Sequence, residues 1–250
     1  MIVDVLIPAR LKSKRLKNKP LIKIGQLTLI EHVIERVKLS KLVNSVTVCA
    51  DDKKIFNFLK SKNYKCILTN KKFKNGTERI ASVLKKFNSD LIIDVQCDCL
   101  FLDPKELDRV IKFHLKKKFF DIVLPYQKYT KKNEINSVKI VSDKKDKILF
   151  MSRSDIPSYF RHAKKKYFKR HEDFISFKPE SLKKFINLKI SENELLEGIE
   201  LLRAIDNNMS IGTFQTKPLF RNVESINTVK DLKQARRLIK KCPILKKYQK

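Results

Sequence analysis

The chain has 250 residues, of which 42% are hydrophobic, so it can bury a sizeable core and wholesale disorder is excluded. Its 57 lysines and arginines outnumber 27 acidic residues, which gives a formal net charge of +30. No run approaches the roughly 18–20 apolar residues of a membrane-spanning helix, and the N-terminus lacks the features of a signal peptide. We therefore expect a cytoplasmic protein with no membrane partner, whose five cysteines stay reduced.

The positive charge has two interpretations. A pI near 10 is typical of a nucleic-acid-binding protein. Here, however, the lysines are spread along the whole chain, and there are four glycines in all, which indicates a general drift in composition toward lysine, asparagine and isoleucine. The same electrostatic field would steer an anionic small substrate toward the protein. Nucleic-acid binding is therefore a remote alternative, and a nucleic-acid partner is not expected.

Short β-branched apolar runs alternate along the chain with longer segments of helical period, the pattern of a mostly parallel sheet flanked by helices. The predicted strands cover residues 2–7, 45–50, 65–69, 91–96, 121–125 and 137–141. The predicted helices cover residues 28–39, 53–61, 77–87, 104–117, 193–206 and 229–240. Residues 126–190, with the lysine run 164–166, break this rhythm and predict a β-rich excursion that contributes to sugar binding or dimerisation. We expect one α/β domain over residues 1–250.

The segment IPARLKSKRLKNKPL, residues 7–21, follows the first predicted strand and carries six basic residues without a glycine. Ligands of open parallel sheets bind beyond the carboxyl ends of the strands, where this segment lies. Neither the G-x-G-x-x-G dinucleotide fingerprint nor the G-x-x-x-x-G-K-[ST] phosphate loop is present in the chain. Guanidinium groups also match phosphate oxygens, so Arg10, Arg15 and Lys19 are candidates to hold phosphates. A solvated basic loop is the alternative.

The same segment resembles the opening I-P-A-R-x-x-S-[TK]-R-L-P-G-K-P-L of the 3-deoxy-manno-octulosonate cytidylyltransferases, which make CMP-Kdo. Asn18 stands where that family has a glycine, and asparagine is the next best residue for a left-handed turn. The further matches, in chain order, are NGTER at 75–79 (family S-G-T-E-R), DVQCD at 94–98 (N-V-Q-G-D), NSVK at 136–139 (N-x-V-K), FMSR at 150–153, RH at 170–171, the glutamate-rich segment 194–203 and NTVKDL at 227–232 (D-T-x-E-D-L).

The resemblance implies a Rossmann-like nucleotidyltransferase fold and a reaction between CTP and an anionic sugar acid. CMP would pass to the anomeric hydroxyl of Kdo or a related 3-deoxy-2-ulosonic acid, pyrophosphate would leave, and the CMP-sugar would supply lipopolysaccharide or another surface polysaccharide. Positioning and charge neutralisation would do most of the catalytic work. The family also implies Mg²⁺ as the cofactor and a homodimer.

The resemblance assigns the site residues by motif. The catalytic residues would be Arg10, Lys19 and Asp98. The nucleotide would be bound by Pro8, Ala9, Arg10, Arg15, Lys19, Asn75, Gly76, Thr77 and Arg79. The sugar acid would be bound by Gln96, Arg153, His171 and Glu200, with Arg153 as the partner of its carboxylate. Mg²⁺ would be held by Asp98 and Asn227 through hard oxygen atoms.

Several of these residues also have ordinary structural interpretations. Asp98 would then be a turn or N-cap residue, and His171 a surface histidine. Glu194, Glu197 and Glu200 are spaced along one face of a predicted helix, and that face would simply be solvated. Arg10 has the weakest structural alternative, because a charge directly after an apolar strand and a proline contributes little to folding.

The chain departs from the family pattern around the metal and the sugar. Asn227 replaces the second metal-binding aspartate, so Mg²⁺ should bind more weakly. Cys97 and Cys99 flank Asp98 in place of a glycine and an acidic residue, and DFISF at 173–177 replaces G-I-Y-G-Y without its tyrosine hydroxyls. The nucleotide half of the site should therefore carry over more safely than the sugar half.

These departures leave three alternatives to CMP transfer onto Kdo or a related acid. The first is an acylneuraminate-type or other sugar-acid cytidylyltransferase, although the usual glycine-serine-lysine-glycine run of the acylneuraminate type is missing. The second is a catalytically weakened paralogue that still binds CTP. The third, from a different class, is the nucleic-acid-binding protein suggested by charge alone.

Overall fold

The computed structural model describes residues 1–13, 15–159, 167–220 and 225–249. Lys14 and the lysine run 164–166 lie outside these ranges. The strands are β1 (Val3–Ala9), β2 (Lys23–Ile24), β3 (Leu27–Thr28), β4 (Ser45–Ala50), β5 (Cys66–Leu68), β6 (Leu91–Val95), β7 (Ile122–Val123), β8 (Tyr126–Tyr129), β9 (Lys139–Ser142), β10 (Ile148–Ser152), β11 (Phe168–His171), β12 (Phe174–Phe177) and β13 (Ile211–Gly212). The helices are α1 (Leu29–Lys38), α2 (Lys53–Ser61), α3 (Gly76–Ala81), α4 (Pro104–Lys116), α5 (Pro179–Ile186), α6 (Glu192–Glu197), α7 (Leu202–Asp206) and α8 (Val229–Ile239).

The main sheet has seven strands in the order β13-β7-β12-β6-β1-β4-β5. β6, β1, β4 and β5 run parallel to one another, β13 runs parallel to β7, and β12 is antiparallel to both β6 and β7. Every residue of β1 and β6 is buried, as expected for strands covered by helices on both faces of a sheet. The predicted mostly parallel α/β sheet is confirmed.

The helices form two layers that pack on opposite faces of this sheet. Val5 and Ile7 of β1 belong to one apolar cluster with α1, α2 and α4. Leu6, which points to the other face, belongs to a second cluster with α3, α5 and α7. This alternation along β1 is the period of two that a strand imposes on its side chains. Within the described part of the chain, no helix has the length and apolar character to cross a membrane.

A second sheet forms within the predicted excursion and confirms its β-rich character. Its four strands are antiparallel and lie in the order β10-β9-β11-β8. The later part of the 126–190 segment returns to the main fold, since β12 inserts between β6 and β7. All four residues of β12 are buried there, because its apolar side chains complete the core of the main sheet.

Side-chain caps set the helix starts, as the sequence indicates. α2 follows Asp52 and α4 follows Asp103, and each aspartate accepts a hydrogen bond from a backbone N–H of the first turn. Pro104 occupies the first position of α4, where its missing N–H costs nothing. α8 starts at a capping box in which Thr228 and Asp231 satisfy each other's backbone N–H groups.

Two predicted helices differ from the observed ones, one because it is interrupted and the other because it is shorter. The predicted helix 193–206 is divided into α6 and α7 by Gly198, whose φ of 61° gives the left-handed conformation that closes a helix. The predicted helix 77–87 ends as α3, where Ser82 Oγ donates to the Arg79 carbonyl at 2.7 Å. A serine that binds a nearby carbonyl competes with continuation of the helix.

Left-handed turns in this protein rest largely on asparagine. Among the described residues, those with positive φ that are not glycine are Asn18, Asn63, Asn133, Asp146 and Asn208. The chain has four glycines in total. Short polar side chains tolerate this conformation better than other residues do. The prediction that Asn18 replaces a turn glycine agrees with its φ of 54°.

Candidate active site

The start of the basic loop lies where the carboxyl ends of β1 and β6 meet, since the two strands pair in parallel. Pro8 and Ala9 end β1 as buried residues, and Arg10 follows as an exposed one. The Leu11 N–H donates to Asp51 Oδ1 at 2.9 Å, which ties the loop to the end of β4. Arg10 therefore emerges at the edge where ligands of parallel sheets bind.

The end of the loop brings four predicted site residues together. After the left-handed Asn18, Lys19 turns inward and is 8% exposed. Its ammonium forms an ion pair with Asp98 and donates to Asn227 Oδ1 at 3.1 Å. Arg15 Nη2 donates to the same Asn227 oxygen at 3.1 Å. We call Arg15, Lys19, Asp98 and Asn227 the phosphate-side cluster.

The ionised form of the Asp98 carboxyl depends on a nearby positive charge. Burial raises the pKa of its carboxyl, the positive charge of Lys19 opposes that rise, and the negative charge of Asp173 adds to it. The backbone of Asp98 takes part in a turn, because its carbonyl accepts from the Leu100 N–H at 2.8 Å. The following helix is capped by Asp103. The Asp98 side chain thus contacts Lys19 and does not cap α4.

The NGTER element packs against the start of the basic loop. Asn75 caps α3 by accepting a hydrogen bond from the Glu78 N–H at 2.8 Å, and Gly76 is the first helical residue. A Cβ at Gly76 would lie 2.9 Å from Pro8 Cγ, closer than real Cβ contacts come. Glycine is therefore required for α3 to approach the end of β1 this closely.

Arg79, also predicted to bind the nucleotide, makes hydrogen bonds within the protein. Its Nη1 donates to Thr69 Oγ1 at 2.7 Å and to the Asn70 carbonyl at 3.1 Å. The side chain is buried, and burial lowers its pKa. In this structure Arg79 braces α3 against the chain that follows β5, whereas Arg10 is exposed.

Two carboxyl groups with buried oxygens, those of Asp94 and Glu200, connect the predicted nucleotide-binding and sugar-binding residues. Thr77 Oγ1 donates to Glu200 Oε1 at 2.8 Å, and Gln96 Nε2 donates to Asp94 Oδ1 at 3.1 Å. Burial raises the pKa of both carboxyls, and the charge of Glu200 raises that of Asp94 further. Among the described residues, Asp94 Oδ2 and Glu200 Oε2 have no hydrogen-bond partner. These two oxygens are available to accept hydrogen bonds from a donor group.

Arg153 is fixed at the junction of β10 and α6 by three backbone carbonyls. Nε donates to Glu197 O at 2.8 Å, Nη2 to Gly198 O at 3.1 Å and Nη1 to Ile135 O at 3.0 Å. Carbonyls orient a guanidinium without neutralising its charge. Arg153 is thus held in one orientation while remaining attractive to a carboxylate, and that role stays a prediction.

His171, at the end of β11, is half-buried. Its Nδ1 lies 2.8 Å from the Glu172 carbonyl, which can only accept, so Nδ1 carries the proton and Nε2 is the acceptor of a neutral ring. Burial lowers the pKa of the imidazole, which favours that neutral form. A neutral ring can accept a hydrogen bond from a hydroxyl group.

The glutamate-rich segment is not a solvated helix face. Glu194 forms a two-bond ion pair with Arg203, with N–O distances of 2.5 Å. Glu197 accepts from Ser152 Oγ at 2.6 Å and from the Arg153 N–H at 2.8 Å. These contacts tie α6 to β10 and to α7, so the segment is part of the wall beside the predicted sugar-binding residues.

The sequence motifs assigned no role to Lys139 and Asp173, which lie near the predicted site residues. Lys139 is fully buried and its Nζ donates to the carbonyls of Glu134 at 2.7 Å and Arg153 at 2.5 Å. Its place in the NSVK match was the available signal. Asp173 lines the same cleft as Asp98. The signal for Asp173 was its replacement of a family glycine.

Comparison with known proteins identifies the family of this chain. The sequence model of the cytidylyltransferase family matches residues 5–211. The chain belongs to that family. This cytidylyltransferase is 36% identical over 240 residues to the 3-deoxy-manno-octulosonate cytidylyltransferase of Rickettsia felis, with 93% of each chain covered. It is 35% identical over 246 residues to the enzyme of that name from Rickettsia prowazekii, with 96% of each chain covered.

Solved structures confirm the nucleotidyltransferase fold of this cytidylyltransferase. CMP:2-keto-3-deoxy-manno-octonic acid synthetase complexed with CTP superposes with a TM-score of 0.90 at 26% identity, covering 96% of this chain and 99% of that one. A putative glucose-1-phosphate thymidylyltransferase from Bacillus anthracis in complex with a sucrose has a TM-score of 0.69 at 14% identity, with 94% of each chain covered, and shows the fold alone. The family expected from the motifs is confirmed.

Proposed function

We propose that this cytidylyltransferase transfers CMP from CTP to the anomeric hydroxyl of Kdo or a closely related 3-deoxy-2-ulosonic acid and releases pyrophosphate. The observation that carries the proposal is the phosphate-side cluster, which lies at the carboxyl ends of the strands beside Gly76. The names of the relatives and the CTP complex of the structural neighbour support both substrates. The product would be a CMP-sugar for lipopolysaccharide or another surface polysaccharide.

On the donor side, the chain supplies positive charge where CTP carries negative charge. Arg10 and Arg15 would bind phosphate oxygens through their guanidinium groups. Lys19 would neutralise the charge that builds on pyrophosphate as the bond between the α-phosphorus and the bridging oxygen breaks and its electron pair leaves with the β-phosphate. The anomeric oxygen forms the new bond to the α-phosphorus and releases its proton to solvent water.

On the acceptor side, the chain orients the sugar acid. Arg153 would pair with the sugar carboxylate, because its guanidinium is already fixed in direction. Gln96, His171 and Glu200 would hydrogen-bond hydroxyl groups. Such positioning brings the anomeric oxygen into line with the α-phosphate, which is a large part of catalysis in a reaction of two substrates.

Mg²⁺ is part of this proposal, and the residues present fit the ion. Lys19 Nζ contacts both the Asp98 carboxylate and the Asn227 carbonyl, so two oxygen donors already converge on one cation. In the described ranges, no three His, Cys, Asp or Glu side chains gather as a metal site. Phosphate oxygens and water would therefore complete the octahedron that Mg²⁺ prefers. When bound, the ion would neutralise triphosphate charge and orient the α-phosphate.

We also propose that the enzyme is a cytoplasmic homodimer. Ile135, Leu195 and Leu196 are 68%, 72% and 77% exposed. Arg153 joins the Ile135 carbonyl to the end of α6, so these apolar side chains belong to one region. Exposed apolar groups that cluster are typical of interfaces. Sedimentation of the variant with both leucines replaced by glutamate should show a monomer if this region is the interface.

The test of the reaction is pyrophosphate release from CTP with a panel of acids that includes Kdo, an amino variant of Kdo and N-acetylneuraminate. Turnover should require the acid and should stop when EDTA removes divalent cations. Turnover with N-acetylneuraminate alone would support the acylneuraminate-type alternative. CTP binding without turnover on any acid would identify a weakened paralogue, and absence of CTP binding would overturn the proposed function.

A further inference from the structure

Compared with the family motifs, the proposed Mg²⁺ site lacks one carboxylate, and another carboxylate is present at a different position. Asn227 stands where the resemblance expects an aspartate, so the phosphate-side cluster holds the single carboxylate of Asp98. Asp173 stands where the resemblance expects the glycine that opens G-I-Y-G-Y. Relative to that pattern, one negative charge is missing from the phosphate-side cluster and one has been added at position 173.

Asp173 lies close to Asp98 because of the way β12 pairs with β6. The strands are antiparallel, and the Gln96 N–H donates to the Asp173 carbonyl at 3.0 Å where β6 ends. Asp98 follows Gln96 by two residues, and Asp98 and Asp173 line the same cleft.

Asp173 is connected to the segment that carries Asn227. Ser225 Oγ donates to Asp173 Oδ2 at 2.5 Å. Asn227 Nδ2 in turn donates to the Ser225 carbonyl at 3.3 Å. The gained carboxylate is therefore held beside the position from which the other was lost.

The cleft contains a further oxygen that points to a ligand. Gln127 lines it and is 2% exposed, and its Oε1 has no hydrogen-bond partner among the described residues. A buried acceptor of this kind calls for a donor or a hydrated cation. Carboxylate and amide oxygens are the groups that Mg²⁺ and its bound water accept as partners.

We propose that Asp173 supplies the second carboxylate of the divalent-cation site, either on the ion or on its bound water, in place of the charge that Asn227 lacks. The inference rests on the proposed Mg²⁺-dependent reaction. It explains why loss of the aspartate at position 227 does not by itself leave the site with one negative charge. The competing explanation is that Asp173 only holds Ser225 in place.

The test is a set of four proteins: the natural chain, Asp173→Asn, Asn227→Asp and the double variant. The affinity for Mn²⁺ in the presence of saturating CTP is measured by electron paramagnetic resonance, which reports binding without turnover. Asp173→Asn keeps an oxygen acceptor for Ser225 and removes the charge. We expect it to weaken Mn²⁺ binding roughly 10-fold and expect Asn227→Asp to restore the affinity in the double variant.

The outcomes separate the two explanations. Unchanged Mn²⁺ affinity in Asp173→Asn, or a loss that Asn227→Asp does not restore, would overturn the inference. Asp90→Asn is the matched control, because Asp90 is exposed and precedes β6 at the opposite end of the sheet. CTP binding, followed by calorimetry on the same proteins, tests the proposed function separately: a natural chain that binds no CTP would overturn both. Thermal melts of all four proteins verify folding.

Discussion

The two halves of the active site hold their charged groups in different ways. On the sugar side, Arg153 is fixed by three carbonyls and Glu194 is paired with Arg203, so the wall is organised by the protein itself. On the phosphate side, Lys19 is likewise held by the protein through its ion pair with Asp98, but Arg10 and Arg15 are exposed. The comparison predicts that the residues of the predicted sugar half select by a preformed shape, whereas Arg10 and Arg15 depend on the charge of a ligand for their final order.

Lys19→Gln should have the largest effect and would show how far the phosphate side depends on charge. The variant leaves Asp98 buried without its cation and removes the group proposed to neutralise pyrophosphate. We expect kcat to fall roughly 100-fold or more. Lys17→Gln is the matched control, since Lys17 is an exposed neighbour in the same loop. Equal loss in both variants, measured by pyrophosphate release, would show that only the overall charge of the loop matters.

Gly76→Ala tests whether the nucleotide element must touch the end of β1. The added Cβ would meet Pro8 at 2.9 Å, so α3 or the loop has to shift. We expect kcat/KM for CTP to fall roughly 10- to 100-fold, while the KM of the sugar acid stays unchanged. In the control Gly212→Ala, which clashes with Phe120 at the far edge of the sheet, stability should fall without this selective change.

Arg153→Lys tests the preformed sugar side. A lysine cannot reach three carbonyls with the geometry of a guanidinium. We expect the KM of the sugar acid to rise roughly 10-fold, the free energy of unfolding to fall by about 1–3 kcal/mol, and the KM of CTP to stay constant. Arg109→Lys, at the ion pair that the accessible Arg109 forms with the buried Glu106 on α4, is the control. An equal rise of both KM values would contradict the division into two halves.

His114 gives a pH test of the contact between α4 and β12. Its Nδ1 contacts Ser176 Oγ of β12 at 2.7 Å, and burial lowers its pKa from 6.5 to about 4. The unfolded chain takes up this proton first as the pH falls, so the stabilising contribution is complete above pH 6.5. Between pH 6.5 and 4 it should be lost at about 1.4 kcal/mol per pH unit.

This prediction is checked by chemical unfolding at several pH values. His114→Gln removes the titrating group, so that part of the slope should disappear in the variant. At neutral pH the two proteins should show no difference in slope, which makes this the smallest of the expected effects under ordinary assay conditions. An identical slope in both proteins below pH 6.5 would contradict the assignment.

The sequence predicted those parts of the fold that depend on local pattern. β1, β4 and β6 follow from short apolar runs, and the starts of α2 and α4 follow from Asp52 and Asp103, because caps act within a few residues. The order of the strands in the second sheet did not follow, since pairing between distant segments leaves little trace in either segment. The same holds for the insertion of β12 into the main sheet.

Some features of the active site were likewise predictable from the sequence, and others were not. The motifs nominated Lys19, Asp98 and Asn227, and the structure brings them together across 208 residues of chain. The motifs could not show that Arg79 donates to the Thr69 hydroxyl and to the Asn70 carbonyl, because such contacts depend on packing. The nearness of Asp94 and Glu200 was likewise invisible, since their interaction arises only after β6 and the segment before α7 pack together.

The left-handed asparagines have a consequence for genome annotation. Glycine codons are rich in guanine, so a genome that drifts toward adenine and thymine loses glycine, and backbone geometry decides which replacement survives at each turn. Asn18 is an example, because it adopts the left-handed conformation at a position where the family motif has glycine. Searches for glycine-containing motifs in such genomes should treat asparagine as equivalent to glycine at left-handed positions, or they will overlook enzymes whose binding loops are intact.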